Sequence, residues 1–104
     1  MEIILIHRPR GYFPPELVKA SIELGKELNV KTEKAVPGGK LVASYAACGQ
    51  MCIFCVWDVP RVDNLMPLCG QMTFLGWDTE VIPVQKMKDA LPAMEKALAE
   101  MAKR

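Results

Sequence analysis

The sequence predicts an α+β fold in a single domain that spans residues 1–104. Three observations support this prediction. A chain of 104 residues is long enough for one domain and no more. Short apolar runs rich in β-branched residues are interspersed with segments whose apolar residues recur at helical spacing. Two of the apolar runs are adjacent and are joined by a glycine turn, which is typical of an antiparallel hairpin.

The first two elements are a strand and a helix. Glu2–His7 is a short apolar run and predicts strand one. Pro14-Pro15-Glu16 predicts the start of a helix, because proline is tolerated in the first turn and an acidic residue there suits the helix dipole. Leu17, Ser21, Leu24 and Leu28 follow at helical spacing.

The middle of the chain predicts a hairpin. Strand two covers Lys40–Ala47, the chain turns at Gly49-Gln50, and strand three covers Met51–Trp57. Neither strand alternates apolar with polar residues, so both faces of the hairpin are expected to be buried.

The last third predicts a helix, a strand and a second helix. Asp58 is the expected N-cap of the first helix, which Pro67 should kink or shorten. Asp78–Val84 predicts strand four. Asp89 is the expected cap of the C-terminal helix, which leaves Pro92 in its first turn.

The predicted order, β-α-β-β-α-β-α, is the ferredoxin-like pattern with an added C-terminal helix. In that fold the chain's own helices cover one face of the sheet. Because the hairpin is apolar on both faces, a second copy is expected to cover the other face, which gives a dimeric α+β barrel. Hydrophobic residues make up 51% of the chain before its 7 glycines are counted, whereas globular domains average roughly 45–50% with glycine included. This excess also favours self-association.

Charge and hydropathy exclude several classes of partner. With 13 Lys and Arg against 12 Asp and Glu, no basic field is available for nucleic acid. The longest charge-free stretch, Leu41–Trp57, has 17 residues and is interrupted by Gly49-Gln50, so no membrane span is expected. The apolar run near Met1 is too short for a secretory signal. We therefore expect a cytoplasmic protein with reduced thiols.

Between Phe54 and Ile82 the chain resembles the muconolactone isomerase family. The resemblance rests on the step from strand into helix, Cys55-Val56-Trp57-Asp58-Val59-Pro60, on Asp63 and on Trp77, and Tyr45 also falls where that family has an aromatic residue. It implies a ferredoxin-like unit that closes a barrel with a second copy, often within a larger ring of dimers. It also implies a proton shift on a small unsaturated lactone without any cofactor.

The candidate catalytic residues are His7, Tyr45 and Cys52. In a ferredoxin-like sheet the central strands are one and three, and we expect an apolar cavity between the face they share and the helices. His7 is the titratable group that strand one offers as a base. A phenol or guanidinium would then stabilise the developing enolate. The candidate substrate-binding residues are Arg8, Phe54, Trp77 and Glu80.

The cysteines support a rival interpretation. Cys48, Cys52 and Cys55 have the C-x3-C-x2-C spacing of radical SAM enzymes, and Cys69 is available as a fourth ligand. Successive positions on one strand point to opposite faces, however. Cys52 and Cys55 are three positions apart, so their side chains do not point to the same metal without a bulge. We predict no bound metal, although an iron–sulfur or redox thiol module on the 48–55 hairpin remains the alternative function. A non-catalytic structural or interaction subunit is a third.

The hairpin register decides whether two of these thiols face each other. A two-residue loop places Ala47 opposite Cys52, whereas a three-residue loop places Cys48 opposite Cys52, where the two thiols would form a redox pair.

Overall fold

The computed structural model describes residues 1–103. Four strands and four α-helices follow one another in the order strand, two helices, two strands, helix, strand, helix. They are β1 (Glu2–Pro9), α1 (Pro15–Val30), α2 (Thr32–Ala35), β2 (Lys40–Ala46), β3 (Ile53–Asp58), α3 (Met66–Phe74), β4 (Trp77–Val84) and α4 (Met87–Ala102). A short 3-10 turn, Val62–Leu65, precedes α3.

The four strands form one antiparallel sheet in the order β2-β3-β1-β4. Strands one and three are therefore central, as the sequence predicts. The protein is α+β, and its element order and sheet are compatible with a ferredoxin-like fold. No helix within residues 1–103 combines the length and the apolar character needed to cross a bilayer.

Alternation along β1 shows which face of the sheet the helices cover. Ile3, Leu5 and His7 are buried, whereas Ile4 and Ile6 between them are only half-buried. Because successive strand residues point to opposite faces, the first set lies under α1 and α3 and the second set lies on the other side, which we call the open face. The buried core unites the covered face with the helices: Ile3, Leu5, Leu24, Leu28, Val36, Cys55, Trp57, Val59, Leu65, Leu68, Met72 and Trp77.

The hairpin has the register of the two-residue loop. Ala46 pairs with Ile53, and the amide of Ala47 donates to the carbonyl of Cys52 at 2.9 Å. Cys48 is therefore not opposite Cys52. Gly49, at the tip, has a φ of 84°, in the left-handed region that glycine adopts without a steric penalty.

The expected helix start at Asp58 is wrong. Asp58 is the last residue of β3, where it pairs with Glu2 of β1, and its carboxylate accepts a bond from the N-terminal amine at 3.3 Å. Sheet pairing extends the strand through this residue, so the helix begins only at Met66. Pro67 consequently lies in the first turn of α3, where proline fits, and does not kink the helix.

The C-terminal helix also begins earlier than expected. Its N-cap is Lys86 rather than Asp89, so Pro92 lies inside the helix and not in its first turn. No residue of α4 is buried, and the molecule measures 57 × 30 × 22 Å. The apolar side chains on one side of this helix are all exposed: Leu91, Met94, Leu98 and Met101.

The prediction that both hairpin faces are buried is not met within one copy of the chain. Across the open face the pairing places residues in two rows. One row is Ala43, Val56, Ile4 and Ile82, and the other is Tyr45, Phe54, Ile6 and Glu80. Seven of these eight positions are apolar or aromatic, and the structure leaves Tyr45 63% exposed.

Candidate functional site

A cavity of about 60 Å³ lies between the covered face of the sheet and helices α1 and α3. A cavity of roughly 10–15 Å³ suffices for one water molecule, so this cavity has room for a small ligand. Its lining contains no Asp, Glu, Lys or Arg: His7, Ser21, Leu24, Gly25, Leu28, Asn29, Leu41, Ser44, Ile53, Cys55, Trp57, Leu68 and Met72.

His7 brings the one imidazole of the chain into this cavity. It is 2% exposed, and its Nδ1 lies 2.8 Å from the hydroxyl oxygen of Thr79 on the neighbouring strand. His7 and Thr79 are paired positions of β1 and β4, so the sheet itself fixes the ring. Burial lowers the pKa of His7 from 6.5 to about 4. The imidazole is therefore neutral at pH 7. In the tautomer in which Nδ1 donates to the Thr79 hydroxyl, the basic lone pair is on Nε2.

Trp57 contributes a hydrogen-bond donor without an acceptor. Its side chain is fully buried and lines the cavity, and its Nε1 has no partner among residues 1–103. The other tryptophan, Trp77, donates from Nε1 to the hydroxyl of Ser21 at 2.9 Å. Leaving a buried donor unsatisfied costs about 1–3 kcal/mol, a cost that an acceptor reaching this N–H would remove.

Cys55 and Ser44 complete the polar lining on the hairpin side. The two residues are paired across β2 and β3, with Cys55 Sγ 3.8 Å from Ser44 Oγ. Burial raises the pKa of the Cys55 thiol, and the contact with Ser44 only partly offsets that rise. Cys55 is therefore a neutral thiol at pH 7, which makes it a polarisable wall rather than a nucleophile.

Four of the predicted site residues lie away from His7. Tyr45 and Phe54 are paired on the open face. Arg8 follows His7 on the strand and so points to that face as well, where its guanidinium bonds the carboxylate of Glu80 at 2.8 Å. The structure thus groups these four on one surface, but separates them from the imidazole by the thickness of the sheet.

The two remaining predicted residues do not line the cavity. Cys52 is buried just before β3. Trp77 is buried in the core, bonded to Ser21 and edge-on to Phe13 with ring centroids 4.9 Å apart. His7, Tyr45 and Cys52 therefore do not form one site around this cavity.

The cysteines do not form a cluster. Within residues 1–103 there is no group of three or more His, Cys, Asp or Glu side chains placed to hold a metal ion. Cys48 is exposed in the hairpin turn, whereas burial raises the pKa of Cys69 on α3. All four cysteines are free thiols.

Sequence reasoning did not place Trp57, Cys55 or Ser44 in the lining of this cavity. Trp57 and Cys55 occur in a continuous apolar run, where either side chain reads as ordinary core. A signal was nevertheless available in the strand period, because Ile53, Cys55 and Trp57 alternate on β3 as His7 and its covered neighbours do on β1. To place these residues beside His7 from this period, the register between β1 and β3 must be known.

The sequence comparisons leave the family of this chain open. No protein-family model matches it, and no curated protein matches it either.

Proposed function

We propose that this protein is a small-molecule enzyme of the muconolactone isomerase type, which shifts a proton on a small unsaturated lactone or carbonyl compound without a cofactor. The observation that supports this proposal best is the neutral, buried imidazole of His7, held by Thr79 at the wall of an apolar cavity. The resemblance around Cys55–Pro60 points to the same chemistry.

The proposed reaction uses one base in two steps. Nε2 of His7 removes a proton from a carbon conjugated with the carbonyl, and the electron pair of that C–H bond moves into an enolate. The imidazolium then returns the proton to a different carbon of the conjugated system, which restores the carbonyl and shifts the double bond. The proton and the electron pair both remain within the reacting pair, so neither an oxidant nor a reductant is needed.

The apolar lining accommodates the imidazolium of His7 only together with the enolate of the substrate, as an ion pair. An isolated imidazolium is costly there, which is why the pKa of His7 is about 4. As negative charge develops on the substrate, it lies beside the ring and raises the proton affinity of His7. General acid–base catalysis of this kind typically contributes about 10²–10⁴-fold to the rate.

The assembly that we propose for this function is a dimeric α+β barrel. A second copy would cover the two rows of the open face, which one chain leaves without a partner surface. The exposed apolar side of α4 would be covered in the same assembly. A sheet packed on a sheet is a standard way of burying such a face.

Proton transfer is tested directly by exchange in D₂O. We expect uncharged unsaturated lactones and enones incubated with the protein to incorporate deuterium or to isomerise, as followed by NMR. The His7→Ala variant should lose this activity by about 10²–10⁴-fold while retaining its circular dichroism spectrum. Glu80→Gln should have a smaller effect, because Glu80 lies on the open face. Unchanged turnover in His7→Ala would exclude the proposed base.

A further inference from the structure

We propose that the cavity beside His7 is a binding site for small uncharged alcohols, whose hydroxyl group bonds to Nε2 of the imidazole. This inference rests on the proposed function for the tautomer of His7, but it concerns binding, which is measured without turnover.

The first argument is the free ring nitrogen of His7. Its Nδ1 is bonded to Thr79, whereas Nε2 has no hydrogen-bond partner within residues 1–103. Nε2 is nevertheless not enclosed by protein atoms, because Trp57 Nε1 is the one fully enclosed side-chain nitrogen or oxygen of those residues that lacks a partner. Nε2 therefore borders open space, and the open space that His7 lines is the cavity. A side chain that is only 2% exposed thus presents an unpartnered polar atom to it.

The second argument is that the other polar side chains of the lining are engaged within the protein. Ser21 donates to a carbonyl of its own helix at 2.7 Å and accepts from Trp77 at 2.9 Å. Asn29 also donates to a carbonyl of α1, at 2.7 Å, and Ser44 lies beside Cys55. Asn29 and Ser44 are exposed, so they border the solvent side of the cavity. His7 Nε2 is therefore the polar atom left for a ligand inside it.

The third argument is the size and polarity of the cavity. Its 60 Å³ has room for roughly four to six water-sized groups. A buried water needs about two to four polar partners, so one free nitrogen does not hold such a cluster. The remaining wall is apolar: Leu24, Leu28, Leu41, Ile53, Trp57, Leu68 and Met72. A ligand with a single polar group on a small apolar body matches this cavity better than water does.

The fourth argument identifies that polar group as a hydroxyl. When Nδ1 carries the ring hydrogen, Nε2 presents a lone pair and accepts a hydrogen bond. A hydroxyl supplies the hydrogen, whereas the carbonyl of a ketone or an ester only accepts and leaves the lone pair unpaired. An amide adds a carbonyl that has no partner here, and an amine is charged at pH 7 in a lining without Asp or Glu. An alcohol is the uncharged donor with the fewest additional polar atoms.

The test uses three ligands of nearly equal size, namely cyclopentanol, cyclopentanone and methylcyclopentane. Untagged, uniformly ¹⁵N-labelled protein contains a single imidazole, so its ring nitrogen resonances belong to His7 without further assignment. At pH 7.5 we expect cyclopentanol to move the Nε2 resonance. We also expect it to bind roughly tenfold more tightly than cyclopentanone, which corresponds to one hydrogen bond to a buried group.

Two variants test the contact. His7→Leu removes the acceptor and keeps the cavity apolar, so the affinity for cyclopentanol should fall roughly tenfold, whereas methylcyclopentane should bind at least as tightly as before. Ile6→Leu changes the neighbouring residue on the open face and is the control, which should leave the affinity for cyclopentanol unchanged. If His7→Leu does not fold, the ¹⁵N titration of the unsubstituted protein still decides the question.

Three outcomes would overturn the inference: equal affinities for the alcohol and the ketone, an Nε2 resonance that cyclopentanol does not move, or an unchanged affinity for cyclopentanol in His7→Leu. Each of these is separable from the proposed function. Deuterium exchange that depends on His7, together with any of the three, would keep the proton-transfer proposal and reject the alcohol site. Binding of cyclopentanol at Nε2 without any exchange on lactones or enones would keep the alcohol site and reject the catalysis.

Discussion

His7 is the only histidine of the chain, which makes its protonation unusually easy to follow. Its neutral ring is part of the core, next to Thr79, and burial keeps its pKa at about 4. In the unfolded chain the same ring titrates near 6.5. Between these two values the unfolded state binds more protons than the folded state, so acidification favours unfolding.

We therefore predict that the free energy of unfolding falls by about 2 kcal/mol between pH 7.5 and pH 5 because of His7. The loss begins as the pH drops through 6.5 and is complete below about 4. Urea denaturation at the two pH values measures it. In the His7→Gln variant the pH dependence over this interval should be flatter by that amount. The same acid sensitivity in both proteins would show that His7 is not buried as the neutral form.

A second prediction concerns the cysteines. Because Cys55 and Cys69 are thiols whose pKa values burial raises, we expect them to serve as small packing residues. A chain with Ala at both positions should fold, with a modest loss of stability. Protein purified without oxygen should contain neither iron nor zinc in stoichiometric amount by elemental analysis. A brown preparation with about four irons per chain would instead establish a [4Fe–4S] cluster.

Among the elements, the sequence predicted the order of strands and helices except for the short helix α2, but it did not predict every boundary. Apolar periodicity located β1, α1 and the hairpin, since these depend on local pattern. Asp58 misled the prediction because an aspartate before a proline is typical of a helix start, whereas here its pairing with Glu2 keeps it in the sheet. Pairing between residues 56 positions apart has no local signal.

In the candidate site, too, local pattern predicted some features, and strand pairing decided the others. Strand parity alone puts His7 on the face opposite Arg8, and the structure places it on the covered face, at the cavity. Whether Tyr45 joins His7 or faces away depends on the register of the hairpin, in which Tyr45 pairs with Phe54 on the open face. Trp57 could not be distinguished from other core residues by composition, because only the folded chain shows that its Nε1 has no hydrogen-bond partner.

Helix α4 yields a prediction about association. Its apolar side is exposed, with Leu98 68% accessible, and burying a leucine contributes about 1.5–3 kcal/mol. If a second copy covers this side, Leu98→Glu should weaken self-association tenfold or more, as measured by sedimentation equilibrium. Lys96→Glu, a substitution on the opposite side of the same helix, is the control and should leave the association constant nearly unchanged. Equal constants for the two variants would place α4 outside the interface.

The whole molecule combines two unpartnered apolar surfaces, the open face and the side of α4, in a chain of only 104 residues. Contiguous exposed apolar patches are typical of interaction surfaces. The near balance of charge, 13 basic against 12 acidic residues, means that net repulsion between two copies is small. Both properties favour association of the chain with itself.

We predict a dimer, or a multiple of it, at micromolar concentration. Ile4 lies in the fully apolar row of the open face, between Val56 and Ile82, so Ile4→Lys should shift the protein toward monomer while the covered face remains intact. Sedimentation velocity together with circular dichroism measures both effects. A stable, folded monomer of 11.6 kDa formed by the unsubstituted chain would exclude the barrel.

The central position of β1 has a consequence for synthesis. This strand is synthesised before both of its partners, which are β3, ending at Asp58, and β4, ending at Val84. At about 5–20 residues per second, translation leaves both edges of an apolar strand without a neighbour for several seconds. Glu2 and Arg8 place one charged side chain near each end of that strand, and charged residues that flank an unavoidable apolar segment are a common means of limiting its aggregation.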